Sequence, residues 1–277
     1  MDIRALNFIK ESRRLTFRKY FRSGLRSHIF EVLDPGAIQK ETRGEVVEGI
    51  RLFPRARPKK MFRILRTRFK TQEAVFQEIG KYKLLLSFLG PDFIARSEEF
   101  MATDTAVTPH QIVLCGLQEF VEGQILDPWR LSDHPLADLF TAMPDTHVAR
   151  ELFICQATGN IRTFVQKIKQ MIRKSGYIPD LAGIGNLIIT RDGKIKLVDI
   201  NNIVPVNLDA TIYLDDRQYP SCDVSVEVLS ILEQDILEQP ISMDEPLYRF
   251  FLAPGRKKRV KGVENAFYAR MTENPQV

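Results

Sequence analysis

Long apolar runs are missing from this 277-residue chain. No stretch reaches the ~18 uninterrupted apolar residues of a membrane-crossing helix, so no membrane span is expected. The opening MDIRALNFIKESRR carries charge where a secretory leader needs an apolar centre, and the expectation is a cytoplasmic protein. Cysteine is scarce: Cys115, Cys155 and Cys222 are scattered and odd in number, which fits neither a disulfide framework nor a zinc pattern. Their apolar neighbours predict three buried thiols. The four histidines, His28, His110, His134 and His147, have no ligand spacing and read as structural. The single tryptophan, Trp129, follows Pro128 and is expected to be a packing anchor. Internal repeats and low-complexity tracts are absent as well, so organisation must be read from periodicity.

Apolar residues make up 44% of the chain and aromatic residues 9%, enough for one large domain or two packed lobes. The net charge of +5 is unevenly spread. Arg13, Arg14, Arg18, Lys19, Arg22 and Arg26 crowd the first part, and Arg256-Lys257-Lys258-Arg259 form a second cluster. Such patches suit nucleic acid, anionic lipid or a phosphorylated substrate; a solvated face spread over several elements is the plainer reading.

The first third reads as β-rich. Leu15 to Phe21 and Ser27 to Leu33 form a hairpin around a Ser23-Gly24 turn, with a stop at Asp34-Pro35-Gly36. After an irregular section, Lys59 to Phe69 has strand character, and Thr71 can cap a helix that ends at Gly90-Pro91. Gln111 to Phe120 is a further apolar strand, which VEGQ continues into a turn. Helices then dominate. In NIRTFVQKIKQMIRKSG the residues Ile161, Phe164, Val165, Ile168, Met171 and Ile172 recur at helical spacing, and Gly176 supplies the stop. Ser221 to Leu237 is a second apolar-striped helix. The expected class is α+β, with a β-rich domain over 1–121 and a mostly helical domain over 122–277.

The chemistry gathers in GYIPDLAGIGNLIITRDGKIKLVDINN, residues 176–202. Asn186 begins one strand, Asp192-Gly193 reverses the chain, and the return strand ends at Asp199, so a tight hairpin brings Asn186 and Asp199 together. Asn and Asp oxygens suit magnesium, which prefers oxygen ligands and keeps waters. Asp180 stands six residues before Asn186. Phosphoryl transfer needs these parts: cations on the triphosphate, oxygen ligands to hold them, and a carboxylate that orients the attacking hydroxyl.

This stretch resembles the catalytic loop and metal-binding strand of the protein-kinase-like superfamily, which includes the aminoglycoside and choline phosphotransferases. A looser likeness extends to bacterial kinase-like proteins of the PhoP-regulated network. The resemblance implies a two-lobed fold with ATP in the cleft between lobes and Mg2+ held by Asn186 and Asp199. Asp180 takes the place of the catalytic base. It further implies that Gly24 belongs to a phosphate-covering hairpin, that Arg63 or Lys60 touches the α/β-phosphates and pairs with Glu78, and that the backbone of Glu119 and Val121 meets adenine. Asp223 takes the place of the buried Asp that braces the catalytic loop.

The sequence departs from the family pattern in several places. The Asp180 to Asn186 interval is one residue longer, no His precedes Asp180, Arg63 stands where the family has Lys, and Asp199-Ile200-Asn201 replaces Asp-Phe-Gly. An ATP-dependent phosphotransferase with an unknown small-molecule or protein acceptor is the first expectation. A catalytically inactive kinase-like module that binds a nucleotide or a partner is the alternative, and a basic nucleic-acid-binding module ranks last.

Overall fold

In the computed structural model, residue 6 and residues 15–21, 26–105, 110–143 and 148–273 are described. They divide into two compact units. One holds the described residues up to Lys81 with Ala95–Phe120; the other holds Tyr82–Ile94 and the described residues from Val121 onward. Residues 82–94 and Val121, assigned above to the first domain, thus group with the second unit. The chain is α+β, sheet-rich first and helical later.

In the first unit, β1 (Thr16–Lys19) and β2 (Ser27–Leu33) pair antiparallel from Thr16↔Leu33 to Lys19↔Phe30. The turn expected at Ser23-Gly24 lies outside the described residues. Asp34-Pro35-Gly36 ends β2 and also starts a helix, where an irregular section was expected. Asp34 accepts hydrogen bonds from the Gly36 and Ala37 amides, and Pro35 opens α1 (Pro35–Arg43). A two-stranded ribbon follows, β3 (Glu45–Val47) and β4 (Ile50–Leu52). Its turn residues Glu48 and Gly49 have φ of 49° and 81°, the positive pair that a tight hairpin turn requires. The central strand β5 (Lys60–Phe69) leads to α2 (Gln72–Leu89), where Thr71 accepts from the Ala74 amide at 3.3 Å. Two strands complete the unit, β6 (Ser97–Asp104) and β7 (Gln111–Glu119).

The five-stranded sheet runs β1-β2-β5-β7-β6, antiparallel throughout. Alternation along β5 and β7 sends Phe62, Ile64, Val113 and Cys115 to one face beside Phe30 and Val32. Leu65 and Leu114 go to the other face, against Val75 of α2. β6 gives little strand signal because SEEFMATD is polar at its start, although Phe100 and Ala102 pack on one face of the sheet and Met101 on the other.

In the second unit the first strand is β8 (Gly123–Ile125), so Gly123 and Gln124, expected to lead into a turn, lie in a strand. Gly123 is required there, since a Cβ would fall 2.2 Å from the Ile189 carbonyl oxygen of the paired strand. α3 (Pro135–Thr141) precedes α4 (Arg150–Ser175), which starts at Arg150 rather than Asn160. Phe153, Ala157, Ile161, Phe164, Val165, Ile168 and Met171 form its buried stripe, and Gly176 ends it at φ 73° with its amide on the Ile172 carbonyl. Four short strands follow: β9 (Tyr177–Pro179), β10 (Leu187–Thr190), β11 (Ile195–Leu197) and β12 (Ile203–Pro205). α5 (Ser221–Ile231) runs into a π-helical turn, Leu232–Ile236, and α6 (Pro246–Phe251) and α7 (Pro254–Glu273) complete the unit.

Nine of the eleven α5 residues are buried, the pattern of a helix enclosed by its own core rather than lying on it. The basic cluster at 256–259 is not one patch: Arg256 is 5% exposed and Lys257 pairs with Glu227 at 2.7 Å. Cys115 and Cys222 are buried as expected, whereas Cys155 is exposed on the outer face of α4. Among the described residues no helix is long and apolar enough to cross a membrane.

Candidate functional site

The ladder between β9 and β12 pairs Pro179 with Ile203 and Tyr177 with Pro205. Asp180 and Asn202 are therefore neighbours one step beyond its end. The Asp180 amide donates to the Asn202 carbonyl at 2.7 Å, and Asn202 Nδ2 donates to Asp180 Oδ2 at 2.9 Å. Asp180 Oδ1 accepts from the Ala182 amide at 2.9 Å, an Asx turn that bends the loop back. Asn186 closes that loop, its Nδ2 on the Asp180 carbonyl at 3.1 Å. The β10–β11 hairpin pairs Leu187 with Leu197, and the Val198 amide donates to the Asn186 carbonyl at 2.8 Å. Asp199 is the next residue out, its Oδ1 accepting from the Asn201 amide at 3.2 Å.

Electrostatics tie these groups together. Burial pushes the Asp180 carboxyl up to about 6, and the nearby Asp199 charge adds to the shift, against the hydrogen bonds from Ala182 and Asn202. Gly183 leaves space for the Asn186 side chain: a Cβ there would lie 2.7 Å from both its amide nitrogen and its amide oxygen. The loop is shaped around that one amide.

Beneath the loop lies a set of residues to which the sequence reading gave no role. Asp215 Oδ2 accepts from Ser221 Oγ at 2.6 Å and from Asn202 Nδ2 at 3.3 Å, while its Oδ1 accepts from the Arg217 and Tyr219 amides. Ser225 Oγ accepts from the Leu181 amide at 3.0 Å. Ser221 and Ser225 are four apart on α5 and share one face, which the site loop covers. Asp223 lies between them and points the other way. It pairs with Arg256 at 2.5 and 3.1 Å, and Arg256 donates onward to the Asp209 and Thr211 carbonyls. The expected brace is thus corrected: Ser225 holds the loop amide, and Asp223 anchors α7 and the segment before α5. Trp129 is corrected too. It is 39% exposed, and its Nε1 donates to the Ala182 carbonyl at 3.0 Å, so it ties down the same loop.

The first-unit residues behave differently. Arg63 does not pair with Glu78: its Nη2 meets Glu99 Oε1 at 2.5 Å with both side chains 5% exposed, and Glu78 pairs with Lys81 at 2.8 Å. Register explains this. Arg63 and Glu99 both lie opposite Gly116 of β7, on either side of it. A Cβ at Gly116 would sit 2.6 Å from Arg63 Nη2 and 2.7 Å from Glu99 Oε1, so the ion pair spans the sheet through the space glycine leaves. Arg63 Nε and Nη1 are buried without a partner. Lys60 is half-buried and lies opposite Val32 and Glu119 in the sheet. The Glu119 amide is engaged by the Arg96 carbonyl at 2.8 Å. Val121 is buried at the start of the second unit, and Gly24 lies outside the described residues.

A magnesium ion suits the donors that Asn186 and Asp199 present, hard oxygens few enough to leave most positions to water and phosphate. No group of three or more His, Cys, Asp or Glu able to hold a metal occurs among the described residues. Compared with known protein families and with curated proteins, the chain matches none.

The overlooked residues left a faint trace. YIPD ends in a polar residue and NNIVP begins with two, which is how two paired antiparallel strands would deliver Asp180 and Asn202 to one place. Ser221 and Ser225, spaced four apart in a largely buried helix, were a second trace. Asp215 left none, because its role depends on a loop with no periodicity.

Proposed function

We propose that this chain is an ATP-dependent phosphotransferase of the protein-kinase-like superfamily, with its two units as the two lobes, acting in the cytoplasm on a hydroxyl of a small molecule or protein. The observation that carries this reading is the convergence of Asp180, Asn186 and Asp199 in one hydrogen-bonded loop and hairpin. Asn186 and Asp199 would hold magnesium, which when bound neutralises charge on the phosphates. Asn186 is fixed by the Asp180 carbonyl and by the space at Gly183, so little ordering is left to occur on binding. Asp180, raised to about 6, is ionised at neutral pH yet close enough to that pH to accept a hydroxyl proton. Its Oδ1 and Oδ2 are both oriented by donors, which fixes the direction from which a hydroxyl can approach.

One observation favours the catalytically inactive alternative. Arg63, in the place of the nucleotide lysine, is almost wholly buried and committed to Glu99, which leaves Lys60 as the cation for phosphate contact.

A thermal-shift titration separates the two. Under the first reading ATP raises Tm only with magnesium present, Asp199→Asn removes the shift, and Asp180→Ala retains it while abolishing phosphate transfer. A shift indifferent to magnesium and to Asp199→Asn would refute the metal assignment, and a magnesium-dependent shift with no transfer to any acceptor class would favour the inactive module.

A further inference from the structure

The ribbon of β3 and β4 is held in place by specific contacts, yet leaves its apolar side chains nearly half or more uncovered. Gly44 at φ 73° lets the chain turn out of α1, and a Cβ there would lie 2.7 Å from Arg51 Cγ. Arg51 Nη1 donates to the Arg43 carbonyl at 2.7 Å, and Lys40 pairs with Glu45 at 2.6 Å. These contacts fix the ribbon to α1, a helix that itself buries no residue. Register puts Val47, Ile50 and Leu52 on one face, and Val46 on the other. Val46, Val47, Ile50, Leu52 and Phe53 are 61%, 46%, 65%, 46% and 59% exposed. Two strands alone are marginal in water, and an uncovered apolar ribbon is a hazard unless something covers it.

Charge and area together select the occupant. Arg43, Arg51, Arg55 and Arg57, beside the ribbon in the chain, are exposed, with Arg55 also within 3.6 Å of the buried Glu31 carboxylate. The ribbon's own carboxylates are Glu45, already neutralised by Lys40, and Glu48 at the turn. Even with both faces counted, the five apolar side chains offer on the order of 500 Å², short of the ~800 Å² per partner of a stable protein interface. A bilayer surface has no such threshold, because shallow insertion of a few apolar groups adds to the attraction of basic side chains for anionic headgroups.

We propose that the β3–β4 ribbon is a docking element for an anionic lipid surface, with Val47, Ile50 and Leu52 of one face and the following Phe53 entering the headgroup boundary and the arginines meeting lipid phosphates. This is peripheral attachment, and it stands independently of the phosphotransferase reading.

The test is co-sedimentation of the full chain with phosphatidylcholine vesicles with and without phosphatidylglycerol. Binding is expected only with the anionic lipid and should weaken at least about tenfold between about 0.1 M and 0.5 M salt. Ile50→Asp with Phe53→Asp, and separately Arg43→Gln with Arg55→Gln, should each reduce it about tenfold or more. These side chains are exposed, so an unchanged melting curve certifies that the variants are folded. Absence of binding, equal binding to neutral vesicles, or binding indifferent to both pairs of substitutions overturns the proposal. So does a wild-type dimer in light scattering that Ile50→Asp with Phe53→Asp dissolves while no vesicle binding is seen, which would make the ribbon a contact between copies of the chain.

Discussion

Glu99→Ala would leave the Arg63 guanidinium buried with only Ser97 Oγ, at 3.3 Å, as an acceptor. Nε and Nη1 are already unpartnered, and the side chain is 5% exposed, so water cannot compensate. Removing one member of such a pair costs about 3–5 kcal/mol, most of it the penalty of the stranded charge. Replacing both members, Arg63→Met with Glu99→Leu, should be near neutral or stabilising, because the space on either side of Gly116 would then hold apolar groups. Gly116→Ala should approach the single-mutant cost by driving the pair apart. Trp129 belongs to the second unit, so its fluorescence is the wrong probe; hydrogen exchange at Ile64 and Cys115 on the paired strands is the right one. The singles should speed exchange there by roughly a hundredfold or more. Loss of under about 1 kcal/mol in Glu99→Ala would refute the claim that this pair is sealed in the sheet.

Other outcomes follow from the second unit. Ser225→Ala should cost about 1–3 kcal/mol by orphaning the buried Leu181 amide, read from the Trp129 unfolding transition in urea. Asp180 contributes a pH dependence of definite sign. Its folded carboxyl, at about 6, lies above its ordinary value, so protonation favours the folded state. Stability from this group is full below about pH 4 and falls as pH rises to about 6, by roughly 3 kcal/mol in all; Asp180→Asn should flatten that part of the curve in urea titrations. Gly183→Ala should displace the Asn186 amide and weaken any magnesium-dependent nucleotide shift by tenfold or more, with far-UV circular dichroism unchanged.

What could be read in advance followed periodicity. α4's stripe, the Gly176 stop and the Asn186 to Asp199 hairpin were legible because each is written in consecutive residues. Pairings across distant segments were not. Nothing near Arg63 in the chain announces Glu99 as its partner; that choice is made by strand order and by a glycine in the strand between them. Asp223 misled for a related reason. An acid in a buried helix signals a partner but not its direction, and one helical position decides whether it faces the loop or α7.

α5 gives the second unit an internal clock. Three polar side chains on one enclosed helix hold three separate segments: Ser225 the Asp180 loop, Ser221 the Asp215 turn, and Asp223 the start of α7 through Arg256. The Leu181 amide proton can leave only when its bond to that helix breaks, and the helix has no exposed side from which to peel away. Its exchange rate should therefore keep time with the unfolding of the whole unit, although it lies in a loop, while loop amides not tied to α5 exchange on their own schedule.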